Sequence, residues 1–343
     1  MSIIDFTFPS SYQLGADIQL ALTPVIPAGK TVTWADGTTE TLNVDKYGKV
    51  SLNGLEKIAI GFHVKHGSYN PSVALAESML QRLSSDGIRF MTFNFAHWET
   101  DAQVLYDIDF WMPLLYKYKI WTFLQVQHID PEPPILTVAY QLPRHQVVID
   151  KISQNQTWAN MVYAYTVGWE LDNWYNDAQV TAYLQAMVPS VKNLLQNSKI
   201  GNVPTLNKPT GVWGWNQNYG QVPLGVYADL VGLDGYANVT AAGSGIFTAD
   251  WQNTMNTLYN TYLQIVGKVG HRVWHTEFGV FNNGLNNELT PNLFSQALAG
   301  MGHGNCGSMM LWLMWTNVLD NHAAFNPDGT PKQWYLNLRS LFA

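Results

Sequence analysis

From Lys57 onward the chain alternates, eight times over, between a short apolar run and a helical or connecting segment. That alternation constrains the fold more than any other feature. The apolar runs fall at residues 57–64, 88–95, 120–128, 161–169, 199–206, 230–236, 272–281 and 308–315. Short apolar runs bounded by turn residues are what strands buried on both faces look like. The segments between them carry helical patterns. After the first run, Asn70-Pro71 offers an N-cap and a proline at the first helical position, Val73, Ala76, Leu80 and Leu83 share a face, and Asp86-Gly87 stops the helix. Further helices are expected at 101–119, 176–197, 251–267, 290–301 and 333–342, with a weaker one before residue 161. Strict alternation predicts a parallel sheet, and eight units in a chain of this length predict an α/β fold closed as a (β/α)8 TIM barrel. An open doubly wound sheet would want a phosphate-binding glycine turn after its first strand, and the stretch Gly61 to Gly67 is not one.

The first 56 residues read differently. Thr31-Val32-Thr33-Trp34 and Thr39-Glu40-Thr41-Leu42 alternate around Asp36-Gly37, a hairpin signal because glycine tolerates the positive φ of the turn. Lys49-Val50-Ser51-Leu52 adds a further strand. The expected division is a small β-rich N-terminal appendage, 1–56, packed on a barrel, 57–343.

Composition removes several functions. Charged residues make up 13% of the chain and hydrophobic ones 47%, which is not the balance of a disordered segment. A net charge of -7 repels nucleic acid. No run approaches the roughly 18 apolar residues of a membrane-spanning helix. A single cysteine, Cys306, leaves no internal disulfide and reads as a small buried hydrophobe. The start, MSIIDFTFPSS, lacks the pattern of a signal peptide, so an extracellular or surface location would need a mature chain or another export route. Gly302-x-Gly304-x-x-Gly307 fits a dinucleotide-binding pattern but precedes a strand, and is read as a loop. His63, His66, His128 and His275 lack metal-ligand spacing, so neither metal nor cofactor is expected.

Barrel chemistry sits at the C-terminal ends of the strands. Those positions here hold His63, His66, Asn94, Trp98, Gln127, His128, Glu170, Asp172, Asn173, Asn207, Asp234, Tyr236, Asn238, Glu277, Trp312, Trp315 and Asn317. Rings and amides dominate, which suits a neutral sugar with many hydroxyls and apolar C–H faces. Phosphorylated substrates would ask for Arg, Lys and glycine nests. Trp312 and Trp315 have opposite parity and are expected to face different ways. Glu170 and Glu277 end the fourth and seventh strands, on opposite sides of the mouth. Two carboxyls about 5–5.5 Å apart are what retaining glycoside hydrolysis needs.

His275-Thr276-Glu277-Phe278-Gly279 resembles the nucleophile strand of clan A glycoside hydrolases, the β-mannanase and endoglucanase superfamily. Leu230-Val231-Gly232-Leu233-Asp234-Gly235-Tyr236 is similar to that clan's sixth strand, whose tyrosine contacts the nucleophile. Trp169-Glu170-Leu171-Asp172-Asn173-Trp174-Tyr175 resembles the fourth-strand motif of one mannanase branch. The resemblance covers the barrel and implies a retaining, endo-acting hydrolase of a β-linked polysaccharide, mannan or glucan. Glu277 would be its nucleophile and Glu170 its acid/base. Asn94, Trp98, His128, Asp172, Asn173, Asp234, Tyr236, His275, Trp312 and Trp315 would bind substrate. A second alignment, to the motif Trp-Glu-Leu-x-Asn-Glu-Pro, puts Trp174 at the acid position. The second strand also ends on Asn94 where most of the clan has an arginine nearby, and Arg89 stands at its start. These departures keep a second expectation open, a catalytically inactive barrel that binds carbohydrate or serves as a structural surface or virion protein.

Overall fold

The computed structural model describes residues 29–342 except 65–68, 130, 132, 168–170, 172–173, 176, 197–203, 211–228, 242–243, 266, 282–288, 305 and 319. It begins with a four-stranded antiparallel sheet, β1 (Lys30–Thr33), β2 (Thr39–Val44), β3 (Val50–Leu52) and β4 (Leu55–Lys57), in that order. The hairpin turns at Asp36-Gly37, where Gly37 has φ 83°. Ile58 alone separates this sheet from the barrel.

Eight parallel strands then close on themselves: β5 (Ala59–His63), β6 (Phe90–Phe95), β7 (Trp121–Val126), β8 (Val162–Thr166), β9 (Pro204–Thr210), β10 (Leu230–Asn238), β11 (Val273–Phe281) and β12 (Cys306–Leu311). The main helices are α1 (Val73–Ser85), α2 (Asp101–Lys117), α3 (Val138–Ser153), α4 (Gln156–Met161), α5 (Asp177–Gln196), α6 (Ala249–Thr257), α7 (Pro291–Leu298) and α8 (Gln333–Leu338), and α6 continues through a π-helical turn (Leu258–Tyr262) into a short α-helical turn (Leu263–Ile265). The expected (β/α)8 barrel with an N-terminal β appendage is therefore the observed fold. None of the described helices is long and apolar enough to cross a membrane.

Three elements differ from the sequence expectation. The N-cap of α1 is Ser72, whose side chain accepts from Leu75 N, and Asn70 instead joins Asp107 (2.6 Å) and Trp111 Nε1 (2.7 Å) of α2. The weak helix is a full α3 of 16 residues, hidden from a periodicity reading because its buried face includes Gln141, Arg144 and His145. β9 runs on to Thr210, past the expected end at Leu206, and contains two prolines, residues that normally argue against a central strand.

The base of the barrel is filled by rings and sealed by the appendage. Phe90, Phe123, Tyr163 and Trp274 meet inside it, with centroids 5.5–6.4 Å apart. Trp274 Nε1 donates to Gly48 O of the appendage at 2.8 Å. Gly307 has to be glycine there, since a Cβ would lie 2.6 Å from that indole nitrogen and 2.8 Å from Gly48 O. On the other side of the base, Glu40 of β2 accepts from Arg89 (2.6 Å), Trp34 Nε1 (2.9 Å) and Trp121 Nε1 (3.3 Å). One carboxylate thus joins the appendage to the starts of β6 and β7. Removing a partly buried charge of this kind strands its donors. Glu40→Ala is expected to destabilise the protein by about 3 kcal/mol, read as a lower urea midpoint. A loss below about 0.5 kcal/mol would show that the contact is decorative.

Two buried histidines make stability pH-dependent. Burial pulls His145, whose Nδ1 meets Tyr165 OH at 2.7 Å, down to about 3, and His275 down to about 4. Unfolded histidine titrates near 6.5, so below that pH the unfolded chain binds protons that the fold refuses. Stability should fall between pH 6.5 and about 4, by at most about 1.4 kcal/mol per pH unit for each histidine. Urea midpoints at pH 7, 6 and 5 check this, with a shallower decline in His275→Phe. A flat profile would contradict it.

Candidate active site

β11 carries the feature that shapes the mouth. Leu233 of β10 pairs with His275, but the next residue, Asp234, pairs with Glu277. Thr276 is therefore an extra residue, a β-bulge, and the pairing with β12 slips in the same stretch. Simple alternation would put residues 275 and 277 on one face; a bulge reverses one of them. Trp274 and Glu277 point into the barrel, while His275 and Phe278 point to the helix layer against Trp251 of α6, at 6.2 and 5.9 Å. His275, expected among the substrate-binding residues, is buried on the far side of the strand from Glu277. The Thr276 carbonyl accepts from His63 Nε2 at 2.7 Å, a bond that reaches past β12 from the end of β5.

Glu277 is only 5% exposed, and its Oε1 accepts from Tyr236 OH at 2.6 Å. A phenol donating to a carboxylate stabilises the anion and fixes its plane. Tyr236 lies on β10, so its ring must pass over β11 to get there. It does so above Gly279, where a Cβ would lie 2.5 Å from Tyr236 Cε1. The glycine two residues past Glu277 is thus the gap through which the tyrosine reaches it. Asp234 is the backbone neighbour of Glu277 across the same pair of strands.

The rest of the mouth is built from rings. Trp312, half-buried beyond β12, stands 4.9 Å from the His63 ring, and a cis peptide bond follows it. Trp315 is sealed in the core with its indole N–H on Pro327 O (3.2 Å). Beyond β6, β7 and β8 four rings stand in series. Trp98, 41% exposed, meets His97 at 4.4 Å; His97 stacks on His128 at 5.0 Å; His128 meets Trp174 edge-on at 5.2 Å. Burial, with the adjoining His97, pulls His128 down to about 4, so at neutral pH it offers one donor and one acceptor nitrogen. Asn94 is buried at the end of β6.

The loop after β6 is held from below. Glu99 Oε2 accepts from Ala96 N (2.9 Å), and Arg144 of α3 donates to the carbonyls of Ala96 and Glu99 and pairs with Asp101 (3.2 Å). Arg89 is at the opposite end of the barrel with Glu40. Sequence reading does not reach His97, Arg144 or His322, whose ring lies 5.6 Å from that of Tyr236. Only His97 carries a signal that would have found it, its place next to Trp98 just past a strand end. Glu170, Asp172, Asn173 and His66 lie outside the described residues, and the Asp234 side chain is not described. Among the described residues no group of three or more His, Cys, Asp or Glu converges as a metal centre would.

The Gly279 gap is directly testable. Gly279→Ala is expected to cost about 2 kcal/mol, as overpacking does. Most of that loss should vanish when Tyr236→Ala is also present. Losses that simply add would mean that the tyrosine ring is not the obstacle.

No known family matches this sequence, and no curated protein does. Solved structures do resemble the fold. A cellulase, Cel5C_n, superposes with a TM-score of 0.58 at 15% identity, over 93% of each chain. The catalytic domain of Thermobifida fusca endoglucanase Cel5A (E5) in complex with cellotetraose gives 0.59 at 13% identity, over 88% of this chain and 96% of that one. A thermostable, halotolerant GH5 cellulase from an Icelandic hot spring isolate gives 0.58 at 13%, over 93% and 95%. This chain shares the (β/α)8 architecture of those proteins.

Proposed function

We propose that this protein is a clan A glycoside hydrolase that cleaves a β-linked polysaccharide of glucan or mannan type within the chain, with retention of configuration. The observation that carries the reading is the 2.6 Å bond from Tyr236 to Glu277 on adjacent strands at the C-terminal mouth. In the proposed mechanism Glu277 attacks the anomeric carbon and forms a covalent glycosyl ester. Glu170 protonates the departing oxygen, then takes a proton from the water that cleaves the ester. The phenol of Tyr236 keeps Glu277 anionic before attack. Trp98, Trp174 and Trp312 supply flat apolar faces for sugar rings, and His63, His97, His128 and Asn94 supply hydrogen-bonding groups around them. A mouth that uses imidazoles and amides fits a neutral glycan. The likeness of fold to cellulases, one of them in complex with cellotetraose, favours glucan over mannan. Such a substrate also fits an extracellular or surface location.

A second reading rests on one observation. Trp174, the residue that the alternative fourth-strand alignment puts in place of the acid, lies at the mouth with its ring against His128. On that reading the barrel binds glycan without cleaving it.

Purified protein incubated with soluble β-glucans and β-mannans separates the two. Hydrolysis is expected, and Glu277→Gln should lower kcat roughly a thousandfold or more while leaving glycan binding within about threefold. Binding without any hydrolysis by the wild type would favour the second reading. Full activity in Glu277→Gln would end the first.

A further inference from the structure

Tyr236 can reach Glu277 only because nothing stands at Gly279, so β11 gives its ring no side-chain wall there. The wall comes from elsewhere. His322, on the segment after β12, lies 5.6 Å from the Tyr236 ring at an interplanar angle of 79°. Its Cδ2 would be 3.3 Å from a Cβ at Gly279, so imidazole, phenol and glycine converge on one point. His322 is itself pinned. Its carbonyl accepts from Leu313 N (3.1 Å), its N–H donates to Asp320 Oδ1 (2.8 Å), and its Nδ1 lies 3.4 Å from the same oxygen. Asp320 in turn receives Lys332 Nζ and Ala323 N on its carbonyl. Burial works against the Asp320 anion, and the hydrogen bonds from His322 outweigh it, holding the carboxyl below its usual range.

We propose that His322 is a positioning residue: held by Asp320, it backs the Tyr236 ring from the loop after β12 and keeps the phenol on Glu277. The role in turnover rests on the reading of Glu277 as the nucleophile; the role in placing Tyr236 does not. With no side chain at Gly279 to bound it on that side, the ring gains freedom to swing when the imidazole against it is removed. The hydroxyl then leaves the carboxylate, and the anion loses a donor that favours it. No part of His322 need touch the substrate for this.

The test uses the full chain and two readouts. The Glu277 carboxyl is followed by 13C NMR titration, its resonance identified by its loss in Glu277→Gln. His322→Ala and Tyr236→Phe should each raise its pKa by about 1, and the double variant should raise it no further. On a glycan that the wild type cleaves, His322→Ala should lower kcat about tenfold with KM within about twofold, and His322→Phe, which restores a ring, should recover most of the loss. If His322→Ala is too unstable to study, Asp320→Asn loosens the same imidazole and should shift the titration in the same direction. An unmoved Glu277 titration, or effects of the two substitutions that add, would overturn the proposal. Absence of hydrolysis by the wild type would defeat the hydrolase reading, and the titration would still decide the role of His322.

Discussion

The β-bulge at Thr276 is the constraint on which the mouth of this barrel depends. Strand geometry puts alternate residues on opposite faces, and Trp274, the second residue of β11, points inward. Carried on without interruption, that alternation would bury Glu277 against the helix layer, where a carboxylate has no use. One extra residue turns it to the axis and brings Gly279 with it, which admits the Tyr236 ring. The bulge is itself held by the His63 bond to its carbonyl. The same strand also serves the base, where Trp274 fills the barrel and binds Gly48 of the appendage. Stability at one end and chemistry at the other share nine residues of backbone, with a register shift between them.

Charge is distributed along the same axis. The ion pairs Arg89 with Glu40, Arg272 with Glu56 and Lys192 with Asp229 all involve residues at or near the starts of barrel strands. The opposite end is lined by indoles, imidazoles and amides, and burial keeps His128 neutral at pH 7. The low overall charge of the chain therefore has a spatial meaning. Two of these pairs, Arg89 with Glu40 and Arg272 with Glu56, fasten the appendage to the barrel, while toward the mouth Arg144 pairs with Asp101 and Glu277 accepts from Tyr236.

The barrel was legible because eight buried runs separated by helices admit few other closures, and the hairpin was legible because Asp-Gly specifies its turn. Glu277 and Tyr236 stood out through their motifs. His275 shows where such reading stops: two residues from Glu277, it looks like a neighbour, and only inter-strand register reveals that it faces the other way. The buried polar face of α3 broke the periodicity by which helices are recognised, although Arg144 is what holds the loop bearing His97 and Trp98. Arg89, noted in the sequence only as standing at the start of the second strand, is half of the joint with the appendage. His322 is more than eighty residues from Tyr236 in sequence, and nothing in its own surroundings announces the contact.

The central claim is that Glu277 is the nucleophile of a retaining hydrolase. The most direct measurement is mass spectrometry of the intact and protease-digested protein after reaction with a 2-deoxy-2-fluoro glycoside of cello- or manno-oligosaccharide type bearing a good leaving group. Such a probe forms the glycosyl ester and slows its breakdown. The account predicts one sugar per chain, attached to the peptide that contains Glu277 and absent from Glu277→Gln. A label on another carboxylate, or no label under conditions where the glycan binds, would contradict it.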